Sequence, residues 1–157
     1  MSQPEQTYLT LEGAEELRRE LDTLITVRRP ELAQKLKEAV ADGDLKENAN
    51  YHDAREQQSF LEGRIQYLES VLRSAVIISP NGTSDEVRVG SVVTIVEDGM
   101  GEEETYYIVG AAEANPREGK ISHESPIGAA LLGKKKGNKV TVNTPGGEVI
   151  FKIKRIQ

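Results

Sequence analysis

The hydrophobic positions change period near residue 79, helical before it and alternating after it. In the first half Leu11, Ala14, Leu17, Leu21 and Leu24 recur at steps of three and four, with Thr10 placed as an N-cap. Leu32, Leu36 and Ala39 resume the stripe beyond Pro30. Proline has no N–H and clashes with the preceding turn, so a kink or interruption is expected there. A second stripe, Ala54, Gln58, Leu61, Ile65, Leu68, Leu72 and Ala75, is a heptad seam with Gln58 as its one polar position. Two such helices joined by the short polar stretch 42–50 predict an antiparallel hairpin. Helices of ~25–30 residues extend roughly 40–45 Å, which places the bend far from any globular body. A rod of this kind buries one narrow seam and gains little from a core, so its use must lie in its reach.

The second half reads as strands. Val87, Val89, Val92, Val93, Ile95 and Val96 suggest a strand bent at Gly90, and Thr105–Val109 suggests another. Residues 139–143 and 148–156 flank Thr144-Pro145-Gly146-Gly147, where Pro at the second position and Gly at the third predict a hairpin with a type II turn. Ser125-Pro126-Ile127 opens a short helix, with Ser as N-cap, Pro at the first helical position and Gly133 near the end. Ala75–Ile78 is a short strand at most, and Asn81–Ser84 marks a linker or an early loop. The expected class is α+β. Residues 1–78 form a coiled-coil hairpin with its tip at 42–51, and residues 79–157 form a small α+β domain.

Composition narrows the function. No apolar run approaches the ~20 residues of a membrane span, and the N-terminus lacks the basic and apolar regions of a signal peptide. The absence of cysteine excludes disulfides, thiolate zinc sites and cysteine nucleophiles. A cytoplasmic protein is expected. The net charge of −6 argues against a grip on free duplex nucleic acid, which favours a basic surface. Residues 1–79 hold 15 acids against 10 bases, so the acid is concentrated in the helical half.

The bend carries Asp44 and Glu47, three apart. If the second helix has begun there, the two share a face with Cβ atoms ~5–6 Å apart and can hold one divalent cation between them. The competing account is a capping arrangement, with Asp44 accepting the amide three residues on and Glu47 reaching back. Magnesium wants six oxygen ligands, so two carboxylates make an incomplete site. A half-site at the end of a long rod makes sense if the other half belongs to a partner.

The stretch Asp42-Gly43-Asp44-Leu45-Lys46-Glu47-Asn48-Ala49-Asn50-Tyr51 resembles the tip signature of the Gre family of bacterial transcript-cleavage factors. The likeness continues through 54–58 and 62–65, upstream at 27–31, and downstream at 125–128, 132–134 and 144–149. It spans essentially the whole chain in order, departing at Asn50, where the family commonly has Glu. It resembles the GreA type more than the GreB type. The resemblance implies a coiled coil that enters the secondary channel of RNA polymerase. It also implies an FKBP-like C-terminal domain that docks at the channel rim through Ser125, Pro126 and Ile127. Asp44 and Glu47 would help hold the polymerase's second Mg²⁺ and position the attacking water. Lys46, Asn48, Tyr51 and Arg55 would face polymerase or the 3′ end of nascent RNA.

On that resemblance the chain is not itself an enzyme, and it holds no cofactor stably by itself. It is expected to be a monomer with no membrane partner and no small-molecule substrate. Local readings stand beside these roles: Arg55 as a surface arginine paired with Asp53 or Glu56, Tyr51 as a packing residue, Ser125 as a plain helix cap, and Lys134–Lys136 as a solvated loop. Three alternatives remain: a Gre-like channel regulator that does not promote cleavage, a prolyl isomerase, and a plain coiled-coil adaptor. The isomerase reading is weakened by the lack of Trp and by having only Phe60 and Phe151 to line a pocket.

Overall fold

The computed structural model describes residues 6–44, 46–78 and 85–157, so the expected linker at Asn81–Ser84 lies outside the described residues. The described chain forms two compact units. One is residues 14–74; the other joins the residues up to Gly13 with those from Ala75 onward.

Helix α1 (Leu11–Thr23), which continues from Ala14 into the helical unit, starts directly after Thr10, whose Oγ1 accepts the Gly13 N–H at 3.0 Å, the expected N-cap. A π turn follows at Leu24–Arg28, closed by the Arg29 N–H on the Leu24 carbonyl, and then α2 (Arg29–Ala41). The interruption expected at Pro30 takes this form. A residue with no N–H sits in the first turn of α2, where the regular ladder has already been broken. Helix α3 (Ala49–Arg73) runs back along the first arm; its 25 residues span ~37 Å.

The seam is narrow. Leu32 and Ala39 of α2 are buried, as are Ala54, Ile65, Leu68 and Val71 of α3, while Gln58, Leu61 and Leu72 are half-buried. Ala75 leaves the stripe: the helix ends at Arg73 with Ser74 as its C-cap, and Ala75 begins a strand. Two bidentate ion pairs clamp the arms. Arg29 meets Glu62 at 2.9 and 2.9 Å, and Arg64 meets Glu20 at 2.8 and 3.0 Å. Partner numbers rise on one arm as they fall on the other, as antiparallel packing requires. Each carboxylate raises the pKa of its guanidinium, chiefly through these hydrogen bonds, which outweigh the opposing desolvation. No helix among the described residues is long and apolar enough to cross a membrane.

The other unit opens with β1 (Thr7–Thr10), which the periodicity did not predict. It pairs in parallel with β2 (Ala75–Ile78). A five-stranded mixed sheet follows in the order β5-β4-β3-β7-β6, from β3 (Val92–Glu97), β4 (Glu103–Val109), β5 (Lys120–Ser122), β6 (Lys139–Thr144) and β7 (Gly147–Ile156). Only the β4–β5 pair is parallel. Val87 and Val89 lie outside β3: the Val87 N–H bonds to the Lys134 carbonyl, and the chain turns at Gly90 before the strand begins.

The β6–β7 hairpin forms without the expected type II turn. Positive φ falls on Gly147 (118°), not on Gly146. Glycine at the last turn position suits a type I turn closed by a bulge, which follows the strand twist that type II would splay. Helix α4 (Pro126–Leu131) packs Leu131 into a core with Val93, Ile95, Ile108, Val140, Val142 and Ile153.

The first strand is held by close backbone approach. A Cβ on Gly110 would overlap the Tyr8 carbonyl oxygen. The Glu113 carboxylate accepts the Thr10 N–H at 2.9 Å and the Thr10 hydroxyl at 2.6 Å. Gly110→Ala should therefore push β1 away and destabilise this unit by about 1–3 kcal/mol, measured by urea unfolding. An unchanged midpoint would mean that β1 contributes nothing to the fold.

Candidate functional site

The tip is built from the end of α2 upward. The Asp42 N–H bonds to the Ala39 carbonyl at 3.3 Å, and Gly43, at φ 121°, reverses the chain in a conformation other residues rarely adopt. Asp44 Oδ1 accepts the Lys46 N–H at 3.1 Å, a local turn across the bend. The loop then reaches Asn48 in extended conformation, and the helix begins at Ala49.

Asn48 is the N-cap. Its Oδ1 accepts the Tyr51 N–H at 3.1 Å, and its Nδ2 donates to the Ala39 carbonyl at 2.6 Å. One carboxamide thus caps α3 and ties it to the end of α2. The His52 N–H bonds to the Asn48 carbonyl, and His52 Nε2 lies 3.1 Å from the Lys46 carbonyl.

This corrects the capping account. Asp44 and Glu47 precede the helix, so they neither form a capping box nor share a helical face. Glu47 is exposed, with no hydrogen bond or ion pair among the described residues. Asp44 is exposed and uses one oxygen in the turn. The two acids stand on the loop while an amide does the structural work. Among the described residues, no group of three or more His, Asp or Glu side chains is placed to hold a metal ion.

The other candidates divide. Lys46 is exposed at the tip, while Asn48 is half-buried with both polar ends engaged. Tyr51 is half-buried, with its ring edge-on to His52 at 5.6 Å between centroids. Arg55 is exposed and donates to Gln58 at 3.0 Å, so the pairing with Asp53 or Glu56 is not made. Asp53 instead accepts from Gln57 at 2.7 Å.

Ser125 Oγ accepts the Gly128 N–H at 3.1 Å and donates to the Ser122 carbonyl at 2.7 Å, so it is a cap. Ile127 packs against the core, and Pro126 alone of the three is exposed. These three form the N-cap and first turn of α4, in a different unit from the tip. The reading of the sequence missed Asn48 as the brace and the two interhelical arginine clamps. An Asn just before an apolar stripe is an N-cap signal; the clamps leave no local signal, since their partners lie 33 and 44 residues away.

Two family models span this arrangement. The model described as transcription elongation factor, N-terminal, matches residues 7–77, and that described as transcription elongation factor, GreA/GreB, C-term, matches residues 82–157. The chain belongs to the GreA/GreB family of transcription elongation factors. Transcription elongation factor GreA of Bacillus subtilis is 49% identical over 156 residues, 99% of each chain. The GreA of Roseiflexus castenholzii is 50% identical over 151 residues, 96% of each chain. The solved GreA factor homolog 1 of Thermus thermophilus is 31% identical, and the match covers 97% of this chain and 99% of that one at a TM-score of 0.45.

For this GreA/GreB-family hairpin, the division of labour at the tip has a direct consequence. Asn48→Ala should cost about 1–2 kcal/mol, because it removes a cap and the tie to α2 together. Replacing Asp44 by Asn and Glu47 by Gln should stay within about 0.5 kcal/mol of wild type. Thermal melts followed by far-UV circular dichroism read both; a loss from the acid pair equal to that from Asn48 would make the acids structural.

Proposed function

We propose that this chain acts as a transcription elongation factor that stimulates cleavage of backtracked RNA by bacterial RNA polymerase, contributing ligands rather than a complete active site. The observation that carries this reading is the pair of exposed carboxylates, Asp44 and Glu47, on the hairpin loop and free of the capping role that would otherwise explain them.

The donor set suits magnesium in kind. Both side chains offer hard oxygen, and Glu47 keeps both of its oxygens free among the described residues. It is insufficient in number, which suits an ion shared with a partner whose own ligands complete the shell. When bound there, the second Mg²⁺ of such a site supplies the Lewis acidity that a two-metal hydrolysis requires. The chain itself does three things. The hairpin carries the loop into the secondary channel, Asn48 holds the loop's shape, and the two carboxylates meet the polymerase site and orient water toward the RNA phosphodiester. Lys46 and Arg55, both exposed, are suited to nearby phosphates of the RNA 3′ segment. Pro126, with its neighbours Ser125 and Ile127, would meet the channel rim. The factor alone is then inert toward RNA, needs no resident cofactor and works in the cytoplasm, where polymerase is.

The test is a stalled, backtracked elongation complex with Mg²⁺. Wild type should shorten the transcript faster than polymerase alone does. Asp44→Ala with Glu47→Ala should reduce that stimulation at least about 100-fold while polymerase binding is largely kept, since the lost contacts act on the reacting centre. Stimulated cleavage that survives the double substitution would remove the carboxylates from the mechanism. A wild-type chain that binds without any stimulation would make it a channel-binding regulator instead.

A further inference from the structure

Basic residues crowd the end of the chain. Residues 134–157 hold seven lysines and arginines against the single acid Glu148, a local net of +6 within a chain of net −6. Scattered lysines on a half-exposed sheet need no explanation, but their placement here does. Lys139 of β6 stands directly opposite Lys152 of β7, and like charges facing each other across strands are destabilising. Farther along β7, Ile153 is fully buried and Ile156 packs against the core, yet only Lys154 and Arg155 separate them.

Strict alternation would send one of those two cations inward. The register instead shifts between Thr94 and Ile95, with Ile95 opposite Ile153 and Thr94 opposite Arg155. The bulge leaves Lys154 as the extra residue and keeps both cations outside. One face therefore presents Lys139, Lys152, Lys154 and Arg155, all exposed. Two are weakly tethered, Lys139 to Asp98 at 3.9 Å and Arg155 to Glu103 at 3.4 Å. Lys152 and Lys154 have no ion pair among the described residues. Helix α4 packs on the opposite, core side of the sheet.

We infer that this face of the β3–β7–β6 sheet docks on a carboxylate-rich protein surface of RNA polymerase. The inference rests on the function proposed above and adds a contact separate from Pro126. Charge complementarity selects the partner. The cations here are interleaved with exposed Ile150 and half-buried Val96. Apolar residues among cations suit a protein surface bearing acids. The cost of opposing Lys139 and Lys152 in the free chain is relieved when carboxylates lie over them.

The experiment uses the full chain and polymerase core enzyme. Affinity is measured by competition across a salt series, and cleavage is measured at saturating factor. Lys152→Glu with Lys154→Glu should weaken binding about tenfold at low salt and flatten its salt dependence, while saturating factor restores wild-type cleavage. Lys152→Gln with Lys154→Gln should fall between the two and melt no lower than wild type, because it removes the opposed pair. Affinity that is unchanged by charge reversal at every salt concentration overturns the inference. So does binding of the isolated chain to duplex DNA or single-stranded RNA that charge reversal abolishes. If wild type fails to bind polymerase at all, the proposed function falls together with this face. If wild type binds and cleaves through its tip while charge reversal changes nothing, this face alone is overturned.

Discussion

Asn48 joins two backbone segments that would otherwise separate at the bend. Its carboxamide oxygen satisfies an amide at the start of α3, and its nitrogen satisfies the Ala39 carbonyl at the end of α2. The first is a donor that a helix start leaves without a partner, and the second is an acceptor in the last turn of α2 that also takes the Asp42 N–H. With a neutral amide capping α3, the nearby acids do not cap the helix: Asp44 engages one oxygen in its local turn, and Glu47 makes no hydrogen bond or ion pair among the described residues. Carboxylates used as caps would be oriented toward backbone N–H groups and unavailable to a partner. The same side chain therefore stabilises the tip and leaves Asp44 and Glu47 outward.

Behind the tip, the hairpin depends on few contacts. Few residues of its apolar seam are fully buried, and Gln58, Leu61 and Leu72 are only half-buried. Two bidentate arginine–carboxylate pairs bridge the arms beside that seam. Surface ion pairs contribute little in general, but the planar fork fixes geometry as well as charge. The π turn before Pro30 absorbs a residue that cannot donate, so the first arm continues as helix on both sides of it. These features suit a rod held in register more than one held by a large core.

The distribution of charge follows a related division. Acids gather in the hairpin and at its loop, whereas cations gather on one face of the sheet at the end of the chain. The bulge in β7 concentrates those cations by suspending the alternation that would have buried one of them. A uniformly negative protein would approach a magnesium-bearing site and an acidic protein surface with opposite preferences. On the proposed function, separating the signs would let each part meet its own partner.

Much of this was legible from residue order alone. The heptad spacing of 54–72 defined α3, Thr10 and Ser125 declared their helix starts, and the β6–β7 hairpin followed from alternation around Pro145. These are local facts, governed by 3.6-residue and two-residue periods and by which side chains can cap a helix. The pairing of β1 with β2, the reach of Arg29 to Glu62, the bulge at Lys154 and the close approach of Tyr8 to Gly110 were not legible. Each depends on segments distant in sequence, whose proximity only the packed chain establishes. The acids Asp44 and Glu47 show both sides. Their identity and spacing were plain in the sequence, which offered a shared helical face or a helix cap, and the structure has neither, since α3 begins only at Ala49. Tertiary structure decided for the loop, because the Ala39 carbonyl lay within reach of Asn48 and made the amide the better cap.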